Sequence, residues 1–255
     1  MRPEIVDRLA ALAGSLELDA LVLCSPENFA YVTGFVVPSQ ALLRHRHAMA
    51  IVRADGGVVL FGVDMEETTI LAKAPNTELA VWKEFSDDAM AALASTLSAH
   101  GLASGRIGFE LGYLPARDFA GLIAALPNAR FASIDAAVAR LRQIKTPAEI
   151  ELLARLSRIA DKSIADALGS VSAGDTEMDI AAGLTRSIFE SGADDFKLMI
   201  VATGERSQLP NVGPSERWLK PRDVCRVEIF SVIDGYQAGV CRTAVVEEAP
   251  PHADD

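Results

Sequence analysis

The residues most able to do chemistry gather near the C-terminal end of this 255-residue chain. Asp234-Gly235 lies between two apolar runs and signals a two-residue type I′ hairpin turn. That turn pairs Ile233 with Tyr236 and, carried along the register, sets Glu228 opposite Cys241. Side chains alternate along a strand, so Arg226, Glu228, Phe230, Gly239, Cys241 and Thr243 share one face. Glu228 can bind a substrate ammonium or guanidinium group, or it can pair with Arg226; the spacing does not choose between them. Positions 228 and 239 are diagonal neighbours, roughly 7–8 Å apart. Two carboxylates there could bracket a pair of hard cations, but Gly239 has no side chain to offer. Cys241 has no cationic partner in the pattern and reads as a buried, inert thiol. Arg242 lies on the other face with Val240 and Ala244, which suits a snorkelled structural arginine.

The one basic cluster is Arg44-His45-Arg46-His47. His45 and His47, two apart, would share a strand face and could ligate a metal. Two ligands make a poor site, so solvated surface is the plainer reading. Gly204-Glu205-Arg206 signals a turn after a strand; no glycine-rich lysine motif follows that would make it a phosphate loop.

These residues need elements to position them. The first part of the chain alternates short strands (18–25, 47–53, 58–62, 106–110, 130–134) with helices (28–34, 64–74, 86–100, 115–126). Asp55-Gly56-Gly57 marks a hairpin, and Gly101 stops a helix. This is an α/β layer of about 130 residues, a usual domain size. Thr146-Pro147-Ala148-Glu149 then combines an N-cap, a proline at the first helical position and a capping box. A long helix with an apolar stripe follows, then a second helix from Gly174-Asp175-Thr176 to Gly192. Strands over 196–203, 224–233 and 236–246 complete an α+β region. The spacing thus predicts domains at 1–143 and 144–255, the first able to fold alone. The final hairpin should present an apolar face of Val227, Ile229, Ala238 and Val240 that needs a partner layer, or an unpaired edge, and so favour association. The acidic stretch 247–255 is expected to fray.

Composition narrows the class. Half of the residues are apolar and 23% are charged, as in a globular protein with a buried core. Lys and Arg number 24 against 35 Asp and Glu, a net charge of −11. Such a surface repels a phosphate backbone, so nucleic acid is not an expected partner. The longest apolar runs, such as 198–202, are too short to span a bilayer, and residues 1–4 lead into no signal-peptide core. Three sparse cysteines fit a reducing cytoplasm.

Several motifs resemble one family. Asn28, Tyr31, Thr33, Gly34 and Phe35 sit in a segment similar to the N-x-x-Y-x-T-G-F stretch of creatinase-type N-terminal domains. The run 141–150, Leu-Arg-Gln-Ile-Lys-Thr-Pro-Ala-Glu-Ile, resembles the linker before the catalytic domain of the same family. Gly174-Asp175-Thr176-Glu177 also fits, as does Gly235-Tyr236 followed by Arg242-Thr243. Together they identify the chain as similar to the creatinase / aminopeptidase P / prolidase (pita-bread) family. The resemblance implies a creatinase-type α/β domain followed by an α+β half pita-bread domain, truncated relative to full-length members.

The resemblance also sets expectations for the site. Peptidase members hold two metal ions with two Asp from the first half, then a His and two Glu from the second. The first two positions are Glu228 and Gly239 here; the other three would lie beyond Asp255. A His that members usually carry after a proline is replaced by Asn211, an amide with no useful basicity. The resemblance therefore implies Glu228 as the catalytic candidate and Asn211, Tyr236, Arg242 and His45 as substrate contacts, with no metal ligand set. Mn, Co or Zn would bind only with a complete second half supplied. The implied activity is hydrolysis of C–N bonds in small peptides or amino-acid derivatives, inactive in the chain as it stands. The rival readings are a non-catalytic relative that binds a small ligand or pairs with another subunit, and a shortened reading frame. Implied partners are a small peptide or amino-acid-derived ligand and either a second copy of the chain, with the N-terminal domain reaching the partner's site, or the missing C-terminal half.

Overall fold

The computed structural model describes residues 1–248, so the expectation for 247–255 lies almost wholly outside the described residues. The chain divides into two compact units, Met1–Ile144 and Lys145–Asp255.

The first unit runs α1 (Pro3–Ser15), β1 (Ala20–Leu23), α2 (Pro26–Thr33), α3 (Pro38–Leu42), β2 (Met49–Arg53), β3 (Val58–Val63), α4 (Glu67–Lys73), β4 (Glu78–Trp82), α5 (Ala89–Ala99), β5 (Arg106–Phe109), α6 (Ala116–Ala125), β6 (Arg130–Ser133) and α7 (Asp135–Gln143). Its six strands lie in the order β4-β3-β2-β1-β5-β6. The β1–β2 and β2–β3 pairs are antiparallel, and the other three are parallel. Central strands are buried on both faces, which is why β1 and β2 read as continuous apolar runs. Gly56 at positive φ turns the β2–β3 hairpin. Helices α1, α3 and α7 and strand β4 go beyond the elements read from the sequence. For α1 the signal was present: Ile5, Val6, Leu9 and Ala13 fall on one helical stripe and all are buried. Strand β4 is an edge strand, half-exposed along most of its length, so its apolar pattern is weak.

The motif segment 25–35 is held by a buried carboxylate. Ser25 caps α2 by accepting from the Asn28 N–H, and Gly34 ends it in the left-handed region. Glu110, at the end of β5, accepts from the backbone N–H of Cys24 (2.5 Å) and Ser25 (2.9 Å) and from the Ser25 hydroxyl (2.8 Å). The Asn28 amide donates to the same carboxylate. Arg142 donates to Asn28 Oδ1 at 2.5 Å and lies over the Tyr31 ring. Asn28 and, through Arg142, Tyr31 are thus tied to the Glu110 carboxylate.

The second unit opens with the capping box: Glu149 N–H donates to Thr146 Oγ1, and Thr146 N–H donates to the Glu149 carboxylate. Helix α8 spans Pro147–Gly169 and α9 spans Glu177–Glu190. Strands β7 (Asp195–Thr203), β8 (Val224–Ile233) and β9 (Tyr236–Val245) form an antiparallel sheet in the order β7-β8-β9. The core is the helix pair against one sheet face: Leu156, Ala160 and Ile164 of α8 and Ile180 and Leu184 of α9 meet Val201, Val227 and Ile229. This corrects one expectation. Val227 and Ile229 are fully buried, and Ala238 and Val240 pack beside them. The apolar hairpin face is already covered, because α8 and α9 supply its partner layer.

Replacing Glu110 by Ala strands several donors at the start of α2. Urea denaturation should show a loss of about 3 kcal/mol, the scale for bonds to a charged acceptor.

Candidate functional site

The hairpin has the register set by its turn: Ile233 pairs with Tyr236, Glu228 with Cys241 and Phe230 with Gly239. Strand β8 alternates strictly, with Val227 and Ile229 on the helix face and Arg226, Glu228 and Phe230 on the other, half-buried. Ile200 of β7 lies across from Glu228 on that second face. Among the described residues no helix covers the β9 part of it, and Gly239, Cys241 and Thr243 are exposed.

Glu228 is half-buried and has no hydrogen-bond or ion-pair partner among the described residues. The alternative pairing with Arg226 is not made. Arg226 reaches the other way, donating to the carbonyl oxygens of Leu209 and of Pro210 (2.9 Å). It thereby holds the loop that presents Asn211, which is itself exposed. Cys241 is exposed, not buried, because it stands on the uncovered face of β9.

Gly239 is not empty space. A Cβ built there would lie 2.5 Å from Phe230 Cζ and 2.6 Å from its Cε1. The tip of the aromatic ring occupies the volume into which a side chain at 239 would project.

Two of the expected contacts face elsewhere. Tyr236 packs on the helix side, and its hydroxyl is 2.8 Å from Glu149 Oε1. Arg242 donates to Asp161 of α8 at 2.7 Å and to the Cys241 carbonyl. Both have the parity opposite to Glu228, so the structure does not bring them to its face.

His45 belongs to the first unit, is exposed and lies 3.6 Å from Glu84. It precedes β2 and shares no strand face with His47. His47 is buried, with Nε2 3.0 Å from Asp118, which corrects its reading as solvated surface. Burial pushes its pKa down, against the upward pull of Asp118. The two histidines line a cavity of about 330 Å³ with Trp82, Glu84, Phe85 and Asp118.

The sequence reading missed the loop's anchor, although it singled out the motif that contains it. Glu177, with no exposed surface, accepts from the Thr203 N–H (2.8 Å), the Ser215 N–H (3.0 Å), the Ser215 hydroxyl (2.6 Å) and Arg206 (3.0 Å). Arg217 adds a second clamp, donating to Glu205 at 2.7 Å and Asp223 at 2.5 Å. The loop between β7 and β8 is tied at both ends and by Arg226 in the middle.

Comparison with known proteins defines the class. The family model described as Creatinase/Prolidase N-terminal domain matches residues 6–144, and that of Metallopeptidase family M24 matches 151–255. The chain belongs to the creatinase / aminopeptidase P / prolidase family. It is 25% identical over 242 residues to the uncharacterized peptidase YqhT of Bacillus subtilis, covering 94% of this chain and 65% of that protein. It is 31% identical over 117 residues to the Xaa-Pro dipeptidase of Pyrococcus furiosus, covering 46% of this chain and 34% of that one. The X-Pro aminopeptidase of Thermotoga maritima has the same fold, with a TM-score of 0.82, 21% identity and 96% and 66% of the two chains covered. The prolidase of Pyrococcus horikoshii aligns with a TM-score of 0.78, 21% identity and 98% and 67% coverage. The fold is therefore the creatinase-type α/β domain followed by part of a pita-bread domain. The chain spans about 65% of the length of the first two curated relatives.

Family M24 normally uses divalent metals. The residues here do not fit a metal pair. Of the two positions on this hairpin, 239 has no donor atom and its space holds the Phe230 ring. Among the described residues, no group of three or more His, Cys, Asp or Glu could hold a metal ion. No described helix is long and apolar enough to cross a membrane.

Two measurements follow. Gly239→Asp must swing the Phe230 ring off the sheet, at about 1–2 kcal/mol, and the cost should shrink in a Phe230→Ala background; a double-mutant cycle by thermal unfolding reads the coupling. The second concerns acid. The Arg217 hydrogen bond draws the Glu205 carboxyl from 4.5 down to about 2. At Asp223 burial pushes upward, but Arg217 and the Lys220 N–H outweigh it and the net direction is down. A depressed carboxyl stabilises the fold above its unfolded pKa and loses that contribution as pH falls toward its folded value. Amide-exchange protection factors in 204–223, which remove the intrinsic pH dependence of exchange, should hold above pH 4.5 and fall as pH drops from 4.5 toward 2.

Proposed function

We propose that this chain is the N-terminal domain and the first part of the catalytic domain of a hydrolase directed at C–N bonds in small peptides or amino-acid derivatives. The stretch up to Asp255 contributes substrate contacts and no catalytic metal pair. What carries the reading is the open hairpin face: one free carboxylate, Glu228, stands where the family places its first acidic ligand, and the second position is glycine under an aromatic ring. Glu228 is the group of this stretch that can hold or move a proton at a substrate nitrogen. Asn211, held by Arg226 through its neighbours, can donate to a substrate carbonyl but cannot act as a base. His45, in the basic segment of the first unit, is the candidate contact for an anionic substrate group. A second copy of the chain or a C-terminal half of the domain is the proposed protein partner, since β9 is an edge strand among the described residues. Three unpaired cysteines suit a reducing cytoplasm.

A second reading is favoured by the Phe230–Gly239 contact: a relative that binds a small ligand without turning it over. One experiment tests the substrate class and the metal-free assignment of this stretch. The chain is mixed with Xaa-Pro dipeptides, with and without Mn²⁺, Co²⁺ and Zn²⁺, and both binding and cleavage are followed. The expected result is saturable dipeptide binding weakened by Glu228→Gln, with no stoichiometric uptake of two ions and no metal-dependent cleavage. Cleavage lost on Glu228→Ala, or tight binding of two ions, would overturn the metal-free assignment. Absence of dipeptide binding would overturn the substrate class and leave the second reading.

A further inference from the structure

We propose that His47 is an acid-sensitive latch: a proton taken up at its buried nitrogen drives the ring into the neighbouring cavity and loosens the basic segment 44–47. All the groups involved lie in the first unit, apart from the hairpin site. His47 stands just before β2, and several elements meet there. Its Nε2 lies 3.0 Å from Asp118 of α6. Its backbone carbonyl accepts from the Trp82 indole N–H at the end of β4, also at 3.0 Å. The Gln40 amide donates to the carbonyl of the next residue, Ala48, at 2.8 Å. A carboxylate can only accept, so the bond to Asp118 places the proton of the neutral imidazole on Nε2 and leaves Nδ1 bare.

That bare nitrogen is the sensitive point. Nδ1 is buried and has no hydrogen-bond partner among the described residues. A second proton would create a charged N–H there with nothing to accept it, which costs more than leaving a neutral acceptor unmatched. The atom is enclosed within the first unit itself, so no group docking from outside can serve it while the ring stays in place. Burial accordingly pushes the His47 pKa below 6.5, against the pull of Asp118, and His45 and Arg44 act in the same downward direction. A histidine depressed in the fold protonates first in the unfolded chain. The first unit is therefore held most firmly above pH 6.5 and loses that contribution as pH falls below it.

The cavity of about 330 Å³ beside the ring supplies the way out, because Asp118, Glu84 and Asp88 all line it. A protonated ring turned into that space exchanges a partnerless N–H for carboxylate oxygens. Those oxygens are already in use. Asp88 caps α5 by accepting from the Met90 and Ala91 N–H groups. Glu84 accepts from Arg46 at 2.8 Å and lies 3.6 Å from His45. The imidazolium thus competes with Arg46 and His45 for Glu84. On the other side of the segment, Arg44 donates to the Tyr113 carbonyl and lies 4.7 Å from the centre of its ring. Every anchor of 44–47 is within a few residues of the moving ring, so its displacement changes where Arg44 and Arg46 present their charge.

Trp82 supplies the test, since the chain has two tryptophans and the other, Trp218, is exposed. Trp218→Phe leaves Trp82, bonded to the His47 carbonyl, as the reporter in the 255-residue chain. Its emission is followed from about pH 8 to about pH 5, the range in which histidine changes charge, with far-ultraviolet circular dichroism recorded alongside. The emission should change reversibly in one step with a midpoint below pH 6.5, while the circular dichroism holds. His47→Gln should abolish the step. Asp118→Asn removes the upward pull on His47 and should move the midpoint to lower pH, a shift that lost packing alone would not give. His100→Gln, a histidine 3.2 Å from Glu78, should leave the step unchanged. Imidazole nitrogen shifts from NMR of the parent chain keep the test decisive should His47→Gln fail to fold. One ring, the one whose titration moves in Asp118→Asn, should carry its proton on Nε2 at about pH 8 and titrate below 6.5. No step by about pH 5, a step that survives in His47→Gln, a midpoint at or above 6.5, or loss of the circular dichroism over the same range would each overturn the latch.

Discussion

Val227 and Ile229 are fully buried, and a strand has only two faces. That constraint decides the chemistry of the second unit. Once α8 and α9 claim one side of the sheet, the intervening residues Arg226, Glu228 and Phe230 must stand on the other. A slip of one residue would bury a carboxylate and an arginine and expose the core. Register is therefore guarded by the hydrophobic effect along β8 and by the Asp234-Gly235 turn at its end. With Asp234 and Gly235 both at positive φ, the turn matches the type whose twist suits paired strands.

Both units use a buried carboxylate to gather loose backbone. Glu110 collects the N–H groups that enter α2, and Glu177 collects those of Thr203 and Ser215 at the two sides of a long loop. A single ionised side chain offers several acceptor sites in a small volume, so it satisfies donors that no strand or helix can reach. Removing water around it strengthens each bond and raises the cost of losing one. The loop that presents Asn211 is consequently a held structure. Its shape depends on Glu177, Arg217 and Arg226, none of which lies next to Asn211 in the chain.

The hairpin face shows how two positions can change together. Gly239 tolerates the Phe230 ring only because it lacks a Cβ, and the ring in turn takes the space that an acidic side chain would need. The pair removes a hard-metal donor and adds an aromatic surface in one arrangement. Position 228 keeps a carboxyl group, but position 239 supplies no second one.

Local chemistry alone determined much of this protein. The turn at 234–235, the capping box at 146–149, the helices after it and the pairing of Glu228 with Cys241 follow from short-range rules of spacing and backbone preference, and the family motifs lie within them. Tertiary structure decided what those rules cannot reach. Which face of the hairpin is covered depends on where α8 and α9 dock, and that turned Cys241 outward and Val227 inward. Arg242 and Tyr236 went to helix partners, Asp161 and Glu149, that are distant in sequence. Arg226 chose loop carbonyls over the carboxylate two residues away. His47 sank beside Asp118, on a helix far along the chain. In each case the competing partners lay many residues apart, and only packing brought one of them within hydrogen-bond range.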